Sequence, residues 1–198
     1  MNDKLERYKS ALTREQLITA LDKAIQNAQN LFSEAQILYN NERFSRTYFL
    51  LCICNEELGK YIMITSAIVE LVNENIDWKK FWLRLRNHKD KTGTIEHVEN
   101  IFISNDINFT NPNDIQKILP QLEEFKMASL YSDMFQNNFY EPDEIIPRHV
   151  VDSYLKLTSS RIAFISSIIK SRDILKSITK EDVSEFSSKF RTEAFKER

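Results

Sequence analysis

Apolar residues recur at alternating steps of four and three through Leu17, Leu21, Ala24, Ala28, Leu31, Ala35 and Leu38. That spacing keeps one face of a helix apolar and gives it a coiled-coil-like seam. Thr13 and Gln16 form a capping-box pattern before the run, and Asn40-Asn41 interrupts it. Phe44, Tyr48, Leu51, Leu58, Ile62 and Val69 then predict a second long helix from about Arg43 to Val72. So short a connection makes the two helices antiparallel neighbours.

Asp77 is placed to cap a third helix, whose aromatic face carries Trp78, Phe81, Trp82 and Leu85 and which is expected to end near Thr92-Gly93. Thr94 is expected to cap a short helix with Ile95, Val98, Ile101 and Phe102. The Asn-rich stretch from Ser104 to Asn113 reads as a loop. Pro120 suits the first turn of a helix bearing Leu122, Phe125, Met127, Leu130 and Tyr131. Asp133 to Pro147 is expected to be a long ordered loop or lid. The last major helix should run from about Arg148 to Ser177 on Val151, Tyr154, Leu155, Ile162, Ile165, Ile169 and Leu175. Thr179 and Asp182 suggest a cap for a terminal helix on Val183, Phe186 and Phe190.

This pattern predicts an all-α fold of long antiparallel helices with shorter additions. It is expected to form one domain over residues 1–198, with a core at about 13–177 and a C-terminal helix at about 179–195. Only Gly59 and Gly93 are glycine and only four residues are proline, so the turn chemistry of a many-stranded sheet is missing. Charged residues make up 28% of the chain but the net charge is −2, which excludes a globally basic coat for nucleic acid. Any such contact must be local. No apolar run approaches the roughly 20 residues of a membrane span, and the polar N-terminus does not read as a secretory signal. A cytoplasmic protein with no membrane partner is expected. Cys52 and Cys54 diverge by about 200° on a helix and read as buried, reduced thiols.

Two polar clusters interrupt otherwise apolar helices. Glu56-Glu57-Leu58-Gly59-Lys60 lies in the middle of the second helix, where carboxylates and a lysine need partners and where glycine costs about 1 kcal/mol relative to alanine unless something comes close. Alternatively, Glu56 and Lys60 form an exposed pair one turn apart. The third helix carries Arg84, His88 and Lys91 opposite its aromatic face, together with Arg86 and Lys89. An apolar base beneath a cationic row with a histidine suits acid/base work on a phosphate, while the plainer alternative is a solvated basic stripe. If the helices pack side by side, Glu57 and Lys60 could face Arg84, His88 and Lys91 across one cleft, although sequence alone does not decide whether Glu56 or Glu57 faces it. No histidine has a glutamate three residues before it, and no zinc-type cysteine or histidine spacing occurs. Neither nucleophile-elbow glycines nor a phosphate-cradling glycine loop is present, so the expected chemistry uses no metal or other cofactor.

Glu56-Glu57-Leu58-Gly59-Lys60, Phe81 to Lys91, and Leu130-Tyr131-Ser132-Asp133 before a proline-bearing loop resemble, in that order, the AbiV family of bacterial abortive-infection proteins, within the wider HEPN group. The resemblance implies a homodimer that arrests phage growth. Among HEPN nucleases it further implies metal-independent RNA cleavage at a cleft shared by two subunits, with a histidine transferring protons and an arginine stabilising the charge on phosphorus. Arg84 and His88 stand closer in sequence than the arginine and histidine usual in those nucleases.

On this reading His88 is the general acid/base, Arg84 and Lys91 neutralise the scissile phosphate, and Glu57 and Lys60 orient the cluster. Arg86 and Lys89 bind flanking phosphates, Glu56 belongs to the substrate-binding set, and Tyr131 and Asp133 line the same cleft or fix the following loop. Such a toxin must be restrained, so a phage-encoded activator, another regulatory protein or a closed resting state is expected to control it. The competing reading is a non-catalytic helical module that binds RNA, a nucleotide or an acidic protein surface and blocks translation by occupancy.

Overall fold

A computed structural model describes residues 7–102, 112–169 and 172–185. Over these residues the chain is all-α apart from one small hairpin. The first two helices are α1 (Arg14–Asn40) and α2 (Phe44–Val72), which meet the expected bounds closely. Thr13 Oγ1 accepts from Gln16 N at 3.3 Å and Thr13 N donates to Gln16 Oε1 at 2.9 Å, so the capping box is complete. Ala35 packs with Tyr48 and Leu51, Cys54 Sγ donates to the Ala28 carbonyl at 3.2 Å, and Leu17 and Ile64 share one buried cluster and line one cleft. Rising numbers on α1 thus meet falling numbers on α2, as two antiparallel rods require.

α2 is apolar nearly all round, and it is central. It packs against α1 and also against α4 (His88–Phe102) and α7 (Arg148–Ile169). Cys52 and Cys54 are buried and unbridged, and burial pushes each thiol up to about 12. Among the described residues no helix is long and apolar enough to cross a membrane.

The expected third helix is two helices. α3 (Trp78–Arg86) is capped by Asp77 Oδ1, which accepts from Lys80 N at 2.9 Å, and packs Trp78, Phe81 and Leu85 on the main core. Asn87 then turns to extended backbone (φ −84°, ψ 124°), and its side-chain oxygen and carbonyl accept from Asp90 N and Lys91 N to start α4. One residue ends a helix and begins the next. α4 continues through Gly93, and Thr94 does not cap anything: its hydroxyl donates to the Asp90 carbonyl within the helix at 2.7 Å.

α5 (Pro112–Ala128) starts earlier than the sequence suggests, so Pro120 lies inside it and Pro112 takes the first turn. The rest of the expected 104–113 loop lies outside the described residues, except that 112 and 113 are helical. Asp133 to Pro147 is more regular than a loop. β1 (Asp133–Phe135) pairs antiparallel with β2 (Asn138–Tyr140) through a turn in which Gln136 takes a left-handed φ of 57°, and α6 (Pro142–Ile145) follows. After α7 come α8 (Arg172–Ser177) and a helical segment at 180–185. Thr179 and Asp182 cap that segment reciprocally, whereas Phe186 and Phe190 lie outside the described residues.

A Cβ added to Gly59 would lie 2.0 Å from the Lys91 carbonyl oxygen, so only glycine lets the α4 backbone rest on α2 there. Gly93 faces no such obstacle, since its added Cβ would meet a Leu119 methyl carbon at 3.2 Å. Gly59→Ala is expected to lower stability by about 3 kcal/mol, the upper end for overpacking against a rigid neighbour. Gly93→Ala should change it far less, and urea melts of the two variants compare them directly.

Candidate functional site

Consecutive residues of α2 point about 100° apart, so 55, 56 and 57 face three different neighbours. Asn55 faces α7. Its Nδ2 donates to Thr158 Oγ1 and its Oδ1 accepts from Arg161 Nη1 at 2.7 Å. Arg161, almost wholly buried, also pairs with Glu96 of α4 at 2.9 Å. Glu57 faces the other way. It pairs with Lys60, and both line a cleft with residues of α1 and α3, including Ala24, Phe81 and Trp82.

Glu56, only 2% exposed, takes the direction between them. Its Oε2 receives His88 Nδ1 at 2.6 Å and Lys91 Nζ at 2.9 Å, and its Oε1 receives Lys126 Nζ at 2.9 Å. His88 and Lys91 stand one turn apart at the start of α4, on the face that Gly59 admits, and Lys126 comes from α5. Lys126 also holds Glu123 at 2.7 Å. The two lysines are as buried as core residues, yet every charge in the cluster has an opposite within hydrogen-bond distance.

Burial pushes the Glu56 carboxyl up, but hydrogen bonds from Lys91, Lys126 and His88 outweigh it and hold the group below the usual carboxylate range. Burial likewise pulls Lys126 down, and its bonds to Glu123 and Glu56 more than restore it. An ionised Glu56 can only accept, so Nδ1 of His88 is the donor in this contact. In the neutral ring the lone pair is then on Nε2. The side chain is 59% exposed, and among the described residues Nε2 has no hydrogen-bond partner. A buried carboxylate orients a ring that opens to solvent.

The other expected site residues scatter. The geometry corrects the pairing of Glu57 and Lys60 with His88, because Glu56 takes that place one helical step away. Arg84 is exposed on α3, across the Asn87 break from His88, and lines a depression with Glu70, Asp77 and Lys80. Arg86 stacks over Trp82 at 5.0 Å and donates to the Tyr8 carbonyl, while Lys89 is exposed beside a small cavity that Glu123 and Lys126 also line. Lys91 is buried on Glu56 and so is not open to a ligand. Tyr131 and Asp133 are exposed beyond α5, near the start of α2, where Arg46 donates to the Leu130 carbonyl at 2.8 Å. Neither contacts the Glu56 cluster.

Residues 16–163 match the family HEPN_AbiV, described as AbiV. The chain belongs to this family. It is an abortive-infection protein of the HEPN type, and the buried Glu56 cluster lies within the matched residues. No curated protein and no solved structure matches the chain.

Lys126 and Glu123 escaped the sequence reading of this AbiV-family chain. The available signal was an inversion on α5: Lys126 is buried while its neighbours Phe125 and Met127 are exposed, at 47% and 44%. A lysine flanked by two large apolar residues carries that hint.

Glu56→Gln strips the buried Lys91 ammonium of its counter-charge and leaves Lys126 with Glu123 alone, and is expected to cost about 3 kcal/mol at neutral pH. Because the folded carboxyl is depressed, its stabilisation is fully present above the ordinary value of 4.5 and is lost as pH falls through the lower folded value. The difference between wild type and Glu56→Gln in chemical denaturation should therefore shrink on acidification below about pH 4.5.

Proposed function

We propose that this AbiV-family protein is a metal-independent endoribonuclease that halts phage propagation by cleaving RNA and shutting down translation. The observation that carries the reading is the contact between ionised Glu56 and Nδ1 of His88, which leaves Nε2 toward solvent as a proton acceptor. In the first step Nε2 takes the proton of an RNA 2′-hydroxyl. The 2′-oxygen attacks the adjacent phosphorus, the bond to the 5′-oxygen breaks, and the products are a 2′,3′-cyclic phosphate and a 5′-hydroxyl.

The departing 5′-oxygen needs a proton. A homodimer supplies it from the protonated His88 of the second copy, with the two rings facing one cleft. Arg84 and Lys89, both exposed and without an ion pair among the described residues, neutralise phosphates on either side of the bond that breaks. Arg86 contributes by releasing the Tyr8 carbonyl. Lys91 acts on Glu56, not on the substrate, and Glu57 with Lys60 steadies α3. A phage-encoded activator or another regulatory protein controls access in the infected cell.

A second reading draws on the same exposed cations: Arg84 and Lys89 suit RNA binding whether or not the ring transfers protons, and occupancy alone then blocks translation. Cellular RNA incubated with the protein and a candidate activator in chelator separates the two. Cleavage with 2′,3′-cyclic phosphate ends, reduced about 10²–10⁴-fold by His88→Ala with RNA affinity nearly unchanged, is the expected result. RNA that stays intact but bound assigns the protein to the second reading.

A further inference from the structure

Glu123 is the outermost member of the chain of contacts that ends at His88. Its carboxylate is 29% exposed and holds Lys126, whose ammonium group also holds Glu56. A lone lysine would suffice to satisfy Oε1 of Glu56. A second carboxylate behind it changes the electrostatics: Glu56 and Glu123 balance Lys91 and Lys126, so the four groups beneath the ring carry no net charge.

We propose that Glu123 and Lys126 are positioning residues for His88: acting through Glu56, they fix a neutral base under the imidazole, so that the ring and the four groups beneath it become cationic only when the ring itself takes a proton. This deepens the nuclease reading and rests on it for its catalytic meaning. The neutral ring then stays a competent base and the protonated ring a competent acid. Without Glu123 the cluster is permanently cationic and protonation of the ring is opposed. Without Lys126 it is anionic and protonation is favoured.

The other charged and titratable groups near the ring do not carry this balance. Lys89 lies on α4 beside the same small cavity, and Arg84 and Arg86 sit on α3 before the Asn87 break, all outside the Glu56 contacts. Cys52 and Tyr154 line that cavity too, but burial pushes the thiol up to about 12 and the phenol upward as well, so both are uncharged at neutral pH. Asp90 is half-buried one turn from Thr94, to whose hydroxyl its carbonyl is bonded.

Opposite signs make the test specific. In full-length protein with isotope-labelled histidine, the His88 ring signal is assigned by its loss in His88→Gln, and its titration midpoint is followed by NMR. Glu123→Gln is expected to move the midpoint down by about half a pH unit and Lys126→Met to move it up by a similar amount, the size of a single charge change two or three contacts behind a partly exposed group. The acid limb of the RNA-cleavage profile should move with it. A merely structural role would lower stability in both variants without moving the midpoint in opposite directions.

If both variants fold and leave the midpoint in place, or move it the same way, the proposal is wrong. Should Lys126→Met fail to fold, Glu123→Gln and Glu123→Lys take over: a graded downward movement supports the proposal and an unmoved midpoint overturns it. Opposite movements in a protein that cleaves no RNA would uphold the charge pair and remove the nuclease reading, so the two failures are distinguishable.

Discussion

The bare backbone at Gly59 is the constraint on which the centre of this protein depends. It lets the α4 main chain lie against α2 so closely that a single methyl group would collide with the Lys91 carbonyl. From that contact everything at the site follows in steps of one helical turn. Glu56 is one turn before Gly59 on the same face, and His88 is one turn before Lys91, so both side chains of α4 close over one carboxylate. Were the helices held farther apart, the carboxylate would lose two of the three donors that hold its ionised form against burial. Chain geometry and ionisation state are therefore one problem here.

α2 solves a second problem with the residue just before. Asn55 sits in the interior with both ends of its amide engaged, and Arg161 ties it to Glu96 on the same helix that carries His88. α4 is thus gripped by α2 at Gly59 and by α7 through Arg161. These polar contacts cost desolvation that apolar packing would not, and in return admit few alternative arrangements of the three helices.

Much of the fold was legible because its longest helices obey simple rules. α1 and α2 carry long periodic runs, and Thr13 and Asn40-Asn41 at the ends of α1 and Asp77 at the start of α3 are groups whose chemistry is local. The break at Asn87 was hidden for a physical reason. Residues on both sides keep helical spacing, and the turn consists of one residue whose backbone leaves the helical region while its side chain starts the next helix. The hairpin after Asp133 was obscured because its strands are three residues long, too short for alternation to show. At the site, composition pointed to the right segments but did not decide between Glu56 and Glu57. A neighbouring position differs only by rotation about the helix axis, which is set by what α2 packs against. Lys126 and Glu123 were farther out of reach, since α5 meets Glu56 only in three dimensions.

The two cysteines of α2 have a practical bearing on the native state. With burial pushing both thiols up to about 12, almost none of either is thiolate at neutral pH, and the thiolate is the form that attacks disulfides and alkylating agents. Reagents of that kind meet the Cys54 sulfur when α1 swings away from α2, and the Cys52 sulfur when the helices on the opposite side, which carry Lys126 and Tyr154, do so. The protein thereby contains its own reporter of breathing at the middle of its central helix, one that requires no added label.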